Sequence, residues 1–210
     1  MAENQTDEAL EYLSQVTLST EKLMLEADLY QQINMTEVAI DKLTEARELE
    51  PNDPIIHFAL AELLYFDGQY LRATHEYEVV LDTGEYEVNG VNLFARMADC
   101  ALQSGNYSDA IHLYDEINED EMTSEDFFKK AIAYEKNEIT QEAIKIMTNL
   151  LSKDPDFIQG YFYLQSLYEN EKNYPDAIET GKEGLRLNQF YKELMVSTGS
   201  LEIEHGDANE

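Results

Sequence analysis

Histidine and cysteine are the side chains in this sequence that could hold a metal ion or act as a nucleophile, and they are few. Cys100 is the only cysteine, and it cannot complete a zinc site alone. No two histidines are spaced as ligands on one helical turn; they are His57, His75, His112 and His205. The sequence also lacks a glycine-rich phosphate loop and a Gly-x-Ser-x-Gly turn. We therefore predict no metal site, no cofactor and no enzymatic activity.

Carboxylates are the remaining groups that could do acid–base chemistry. There are 44 Asp and Glu residues against 14 Lys and Arg residues, so some carboxylates lie close together by number alone. A solvated acidic surface explains such pairs better than a catalytic dyad does. The formal charge of −30 repels nucleic acid and anionic membranes and favours basic partners. We expect neither nucleic acid nor a membrane surface as a partner.

The elements that carry these side chains are predicted to be helices. Only four prolines and nine glycines interrupt 210 residues, and strand signals are nearly absent. No apolar run reaches the roughly 20 residues that cross a bilayer, and the N-terminal residues resemble no export signal. A single cysteine fits a reducing compartment. Together these features predict an all-α, cytoplasmic protein.

A sequence repeat organises the chain. Alanines recur at intervals of 34, 37, 33 and 34 residues, as Ala39, Ala73, Ala110, Ala143 and Ala177. A second small residue lies twelve positions before the first four of these, as Ala27, Ala61, Ala98 and Ala131. Small side chains allow two helices to approach within roughly 8–10 Å. Gly68 and Gly105, five positions before an alanine, are typical of a turn between two helices, and Pro51 and Pro155 end two units.

This unit resembles the tetratricopeptide repeat. The resemblance implies an all-α, right-handed α-solenoid, that is, a superhelix of antiparallel helix pairs. It covers five repeats, at residues 20–53, 54–87, 91–123, 124–157 and 158–191. We expect residues 1–19 to form an N-terminal capping helix, because apolar side chains follow helical spacing over 7–18. Residues 192–210 are expected to form a capping helix or a truncated sixth repeat, as in a fragment of a longer bacterial repeat protein.

Two departures from the repeat predict irregular structure. The fifth repeat has Gln165 in place of the first alanine, and Gly181 and Gly184 in its second helix. Glycine costs about 1 kcal/mol relative to alanine inside a helix, so this helix should be loosely held, with either a bend or an unusually close neighbour. Three extra residues precede the third repeat, which predicts a longer connection around Gly90.

The family resemblance also implies a ligand-binding surface, because the first helix of each repeat lines the concave side. The family positions give a candidate peptide-binding groove of Asp28, Phe58, Glu62, Tyr65, Arg96, Asp99, Phe128, Lys129, Ile132, Phe162, Tyr163, Ser166 and Glu169. One branch of the family holds a peptide's terminal carboxylate with cations, and Met24 and Asp28 stand at those positions of the first repeat. We therefore expect a basic and apolar ligand. The alternative, that the groove aromatics pack between helices, stays open.

Two functions are compatible with these features, and two more rank lower because the sequence lacks the features that they need. The leading hypothesis is a protein- or peptide-binding scaffold or adaptor without catalytic activity. The alternative is a regulatory peptide-sensor domain of a longer protein, and an enzyme or an acidic nucleic-acid mimic ranks below both. The apolar face of the last predicted helix adds the hypothesis of a homodimer through the terminal helices.

Overall fold

The computed structural model describes residues 2–205, with side chains from Thr6 onward. The described chain is built from helices and one short hairpin. The helices are α1 Ala2–Ser14, α2 Thr20–Gln32, α3 Thr36–Leu49, α4 Pro54–Phe66, α5 Tyr70–Leu81, α6 Leu93–Gln103, α7 Tyr107–Asp115, α8 Ser124–Lys136, α9 Thr140–Lys153, α10 Ile158–Asn170, α11 Tyr174–Leu187 and α12 Lys192–His205. None of them is long and apolar enough to span a bilayer.

The chain divides into two compact units, with the boundary between Asn106 and Tyr107. Unit 1 holds α1–α6, in which α2 packs on α3 and α4 packs on α5. Unit 2 holds α7–α12, in which α8 packs on α9, α10 on α11, and α11 on α12. The boundary separates α6 from α7 and so falls inside the predicted repeat at 91–123. Residues 206–210, the end of the predicted capping helix or truncated repeat, lie outside the described residues.

The alanines that define the repeat are all buried. Ala61 and Ala73, for example, are fully buried in the α4–α5 hairpin, as are Ala131 and Ala143 in the α8–α9 hairpin. A larger side chain at these positions would force the paired helices apart. The regular spacing of small residues in the sequence therefore corresponds to close contacts between first and second helices.

The turns that join each first helix to the second helix of its repeat share one geometry. The residue five positions before each repeat alanine has a positive φ: Asn34, Gly68, Gly105, Glu138 and Lys172, with φ between 58° and 78°. The next residue donates its backbone N–H to a carbonyl five positions back, as Gln69 does to Leu64 at 2.8 Å. This bond closes the last turn of the first helix. The sequence identified the two glycines; the other three residues adopt the same conformation with a side chain.

The connection around Gly90 is a β-hairpin, not a plain loop. Strands β1 Glu87–Val88 and β2 Val91–Asn92 pair in antiparallel register. Asn89 and Gly90, the two residues between them, both have positive φ, as a tight type I′ hairpin turn requires. The expectation of a longer connection here was correct, but the sequence analysis missed the strands because each has only two residues.

The expectation that α11 is loosely held was wrong. α11 is continuous from Tyr174 to Leu187, and Gly181 and Gly184 are both buried. A Cβ atom on Gly181 would come within 2.1 Å of Thr198 Oγ1, and one on Gly184 within 2.7 Å of Tyr161 Cβ. These glycines permit a close approach of α10 and α12 to α11. Of the two alternatives, the close neighbour is the one observed.

The N-terminal helix also differs from the predicted limits. α1 begins at Ala2 and ends at Ser14, whereas the apolar spacing predicted residues 7–18. Val16 and Leu18 lie beyond the helix and are exposed. Ser19 then caps α2 by accepting a hydrogen bond from the backbone N–H of Lys22, which fixes the start of the first repeat hairpin.

Candidate functional site

The thirteen predicted groove residues fall on first helices in both units. The unit 1 set lies on α2, α4 and α6 and consists of Asp28, Phe58, Glu62, Tyr65, Arg96 and Asp99. The unit 2 set lies on α8 and α10 and consists of Phe128, Lys129, Ile132, Phe162, Tyr163, Ser166 and Glu169. The two sets differ in how far their side chains bind one another.

In unit 1, Glu62 and Arg96 form a two-point ion pair between α4 and α6. Arg96 donates from Nε to Glu62 Oε1 at 3.0 Å and from Nη2 to Glu62 Oε2 at 3.2 Å. Glu62 Oε1 also accepts a hydrogen bond from the hydroxyl of Tyr77 on α5. Both members of the ion pair are half-buried, where such planar two-point contacts are strongest. Glu62 is thus fully engaged within the protein.

Tyr65 and Asp99 form a second contact between the same two helices. The Tyr65 hydroxyl donates to Asp99 Oδ2 at 3.2 Å, and Asp99 is 5% exposed. The guanidinium of Arg96 lies 4.7 Å from the centre of the Tyr65 ring, within cation–π range. Burial, together with the Asp99 charge, raises the pKa of Tyr65 to about 12. Four predicted groove residues therefore bind each other and stabilise the packing of α4 on α6.

Phe58 is a packing residue in this structure. Its side chain is only 8% exposed, and its ring centre lies 6.4 Å from that of Tyr77. Since little of the ring can be reached from solvent, Phe58 fits the alternative that groove aromatics pack between helices, and its place in the candidate groove stays a prediction. Asp28 is the exposed member of the unit 1 set.

In unit 2, aromatic rings meet at their edges. Phe128 lies 5.1 Å from Tyr163 and 5.5 Å from Phe157, measured between ring centres, and both contacts are edge-to-face as aromatic pairs prefer. Phe162 contacts Tyr191 at 6.2 Å. Phe162 remains 36% exposed. The sequence analysis did not select Phe157 or Tyr191, because they lie before α10 and before α12, outside the first-helix positions.

The polar residues of the unit 2 set are less constrained than those of unit 1. The Tyr163 hydroxyl is buried and has no hydrogen-bond partner in the structure; burial, followed by the Glu135 charge, raises its pKa. Ser166 donates to the Tyr163 backbone carbonyl at 2.7 Å. Glu169 is exposed, whereas Lys129 and Ile132 are half-buried. The unit 2 set thus combines aromatic edges with an exposed acid.

Comparisons with known proteins identify the repeat. Residues 31–85 match the family of YpiA-like tetratricopeptide repeats, and residues 127–156 match a tetratricopeptide repeat family. The TPR repeat-containing protein YpiA of Bacillus subtilis (strain 168) is 32% identical over 190 residues, which cover 90% of this chain and 45% of YpiA. This chain belongs to the tetratricopeptide-repeat family. It spans about half the length of the relative that it matches.

Solved structures of tetratricopeptide-repeat proteins share the all-α solenoid fold. YrrB, described as a TPR protein with an unusual peptide-binding site, is 17% identical with a TM-score of 0.67 over 92% of this chain and 97% of YrrB. The C-terminal part of a TPR repeat-containing protein from Cytophaga hutchinsonii is 15% identical with a TM-score of 0.79 over 99% of this chain and 85% of that one. MamA from Desulfovibrio magneticus RS-1 gives a TM-score of 0.71 at 18% identity, over 82% of this chain and 96% of MamA. At these identities the likeness concerns the fold alone.

His57 and Cys100 serve packing inside this tetratricopeptide-repeat protein, whereas His75 and His112 are exposed. His57 is buried and places Nδ1 2.5 Å from Glu76 Oε2 and Nε2 2.9 Å from the Pro51 carbonyl, while Arg47 pairs with the other Glu76 oxygen. Cys100 is buried, and burial raises the pKa of its thiol to about 11. Within residues 2–205, no group of three or more His, Cys, Asp or Glu side chains is placed to hold a metal ion.

Proposed function

We propose that this protein is a non-catalytic scaffold that binds a protein or peptide segment on the unit 2 set. Family membership supports a role as a protein-interaction repeat scaffold. The observation that carries the proposal is the edge-to-face pair of Phe128 and Tyr163 beside the exposed ring of Phe162. Aromatic side chains of this kind provide a large apolar contact area at low entropic cost.

Unit 2 is preferred over unit 1 because of what each set leaves available. In unit 1 the groups of Glu62, Arg96 and Tyr65 are engaged with one another or with Asp99, so a ligand would have to break these contacts before making its own. Breaking a half-buried charged contact costs about 1.5–3 kcal/mol. In unit 2 a ligand can add contacts to Phe162 without removing any ion pair.

The expected ligand carries apolar side chains next to Lys or Arg. Its apolar groups would contact Phe162 and Tyr163, and its cations would pair with the exposed Glu169. The formal charge of −30 would speed the approach of a basic segment. The likeness to YrrB, which is described as having an unusual peptide-binding site, supports peptide as the ligand class. The same charge is our reason for proposing neither nucleic acid nor an anionic membrane as a partner.

The remaining parts of the proposal concern location and assembly. A cytoplasmic location is supported by the single buried cysteine and by the bacterial relative. A homodimer through terminal helices is supported by one exposed apolar face of α12. On this face Met195, Val196 and Ile203 are each at least half exposed. The regulatory peptide sensor remains the alternative function.

The test compares two variants that each remove one exposed aromatic ring, one inside the proposed binding surface and one outside it. Phe162→Ala removes the exposed ring of the unit 2 set, and Tyr12→Ala removes a ring that is 73% exposed on α1. Proteins captured from bacterial lysate on immobilised chain would be compared for the wild type and both variants, after circular dichroism has verified folding. We expect Phe162→Ala to lose at least one specific partner that Tyr12→Ala retains. Equal retention by both variants would place the binding surface elsewhere.

Variants at Phe58 or Glu62 are poor tools for this experiment. Phe58 packs on Tyr77 and Glu62 holds Arg96, so truncating either residue would perturb unit 1 itself. Loss of a partner in such a variant would report misfolding as readily as loss of a contact. The unit 2 residues allow the two effects to be separated.

A further inference from the structure

A groove on a different face of α8 is lined by lysines and by apolar and aromatic side chains. It has a volume of about 350 Å³ and lies between α8, α9 and the loop after α7. Its lining consists of Phe127, Lys130 and Tyr134 from α8, Glu142, Lys145, Ile146 and Asn149 from α9, and Glu119 from the loop. We call it the lysine groove. Phe128 and Ile132 of the unit 2 set point to the opposite side of α8, since helical positions one and five residues after Phe127 lie roughly 100° and 140° from it.

The lysine groove exists because α7 is short. α7 has nine residues, whereas α3, α9 and α11 each have fourteen. The residues after it include Glu116, Glu119 and Asp120, and acids at the C-terminal end of a helix oppose its dipole. The chain therefore leaves the helix at Asp115. Because α7 packs on α8, its early end leaves part of the α8–α9 surface uncovered.

Charge distinguishes this hairpin from every other hairpin in the described residues. α8 and α9 carry five lysines and four carboxylates. Each of the other first-helix and second-helix pairs has a formal excess of two to four negative charges. Among the described helix pairs, this is the one on which a negatively charged group meets the least repulsion from the helices themselves; the other acids near the groove are Glu116, Glu119, Asp120 and Glu121, in the loop after α7.

Three of these lysines surround the groove. Lys130 Nζ lies 2.7 Å from Asp115 Oδ1, and its side chain is only 15% exposed. It occupies the repeat position at which α4, α6 and α10 have the buried apolar residues Leu60, Met97 and Leu164. Lys145 pairs with Glu142 at 3.2 Å. Lys153 pairs with Glu119 at 3.5 Å and lies 5.3 Å from the Phe127 ring.

The present partners of these lysines can be exchanged. The side chains of Asp115, Glu142 and Glu119 are 49%, 47% and 70% exposed. The pairs of Lys145 and Lys153, in which both side chains are roughly half exposed or more, contribute only about 0–1 kcal/mol. The pair of Lys130, whose side chain is 15% exposed, costs more to break. A carboxylate on a ligand could take over a lysine at little cost, provided that an apolar group fixes the ligand in the groove. Phe127, Tyr134 and Ile146 supply that apolar floor.

We propose that the lysine groove binds an acidic peptide segment with a large apolar side chain at its centre. The apolar side chain contacts Phe127, Tyr134 and Ile146, and the flanking carboxylates pair with Lys130 and Lys145. A volume of about 350 Å³ is at the lower end of the range for ligand sites. It suits one such side chain with its neighbouring backbone. This site goes beyond the proposed function, because it is a second surface with the opposite charge preference.

The proposal is tested with a fluorescein-labelled peptide of sequence Glu-Asp-Glu-Leu-Phe-Glu-Asp-Glu, titrated with the full chain at physiological salt. Fluorescence anisotropy measures binding. The control peptide has Ser in place of Leu and Phe and should bind at least tenfold more weakly. Lys145→Glu is the informative variant, because this side chain is 76% exposed and its replacement leaves packing intact. Lys192→Glu, an exposed position on α12 outside the groove, is the control with the same change in net charge.

We expect Lys145→Glu to weaken binding of the acidic peptide about tenfold, which corresponds to about 1.4 kcal/mol. Asn149→Asp, which adds a charge without adding bulk, should weaken it in the same direction, and Lys192→Glu should change it less than twofold. An acidic peptide that fails to bind at millimolar chain concentration overturns the proposal, as does an equal effect of Lys192→Glu. Self-association that Lys145→Glu abolishes would instead make the occupant an acidic segment of a second copy, and would overturn the assignment to a separate partner.

Discussion

Gly181 is the residue at which a single added methyl group should have the largest effect on α11. Thr198 Oγ1 would lie 2.1 Å from the new Cβ, and Gln165 Nε2 would lie 2.9 Å from it. Thr198 and Gln165 are buried and hydrogen-bonded to each other at 3.2 Å. To relieve the contact, Thr198 must move by more than an ångström or rotate away from Gln165. Either response disturbs the packing of α10 and α12 on α11.

The magnitude follows from three contributions. Overpacking a buried site costs about 1–3 kcal/mol, and leaving buried polar groups without partners costs about 1–3 kcal/mol more. The higher helix propensity of alanine offsets about 1 kcal/mol. We expect Gly181→Ala to lower the free energy of unfolding by about 1–5 kcal/mol, and the melting temperature by on the order of 10 °C at the middle of that range.

Gly199→Ala is the matched control in the neighbouring helix. Gly199 is helical, and a Cβ atom there would meet nothing within 4 Å. This substitution should therefore stabilise the protein by about 0.5–1 kcal/mol. Both variants would be unfolded with urea and followed by circular dichroism. A Gly181→Ala variant as stable as Gly199→Ala would refute the close packing described for α11.

Three further predictions concern the turns and the unit 1 contacts. Glu138→Gly should stabilise the protein by about 0.5–1 kcal/mol, because a glycine adopts positive φ without strain. Gly68→Ala should destabilise the protein for the same reason. The melting temperatures of the two variants should therefore shift in opposite directions. Arg96→Met should lower the free energy of unfolding by about 1–3 kcal/mol, since it leaves Glu62 half-buried without its cation, whereas a urea midpoint equal to that of the wild type would mean that the pair contributes nothing. The pKa of Tyr65 is raised to about 12 in the folded protein, from about 10 in an unfolded chain. The stability that its protonated hydroxyl contributes is therefore complete below pH ~10 and is lost as the pH rises towards 12. Tyr65→Phe should flatten that decline when unfolding is measured between pH 9 and 12, and an unchanged slope would count against the Tyr65–Asp99 contact.

The fold could be predicted from the sequence at positions where a physical requirement is met by one kind of residue. A close contact between helices requires a small side chain, so the spacing of Ala61 and Ala73 was sufficient to predict the hairpin that they pack. A turn with positive φ favours glycine, so Gly68 marked the turn. Glu138 escaped notice because its conformation is imposed by the two helices that it joins and not by its own preference.

The candidate site was less accessible to sequence reasoning. The repeat position of Glu62 or Arg96 indicates that each side chain lies on the face of a first helix. It does not indicate whether the side chain meets a ligand or its neighbour. That outcome depends on the separation and offset of α4 and α6, which the three extra residues and the hairpin between them alter. The paired residues are 34 positions apart although the alanines of these two repeats are 37 apart. The side chains that pair between α4 and α6 are thus not at equivalent positions of their repeats.

The same repeat position shows why one aromatic is buried and another is exposed. Phe58 and Phe162 occupy equivalent places on α4 and α10. Four residues after the repeat alanine, however, the second repeat has Tyr77 and the fifth has Gly181. Tyr77 provides a ring on which Phe58 packs, whereas a glycine offers no ring to Phe162, which keeps more than a third of its surface accessible. Gly181 lets Gln165 and Thr198 approach α11. The ring that Phe162 meets belongs instead to Tyr191, just before α12, and this contact leaves Phe162 accessible enough to serve the proposed ligand surface of unit 2.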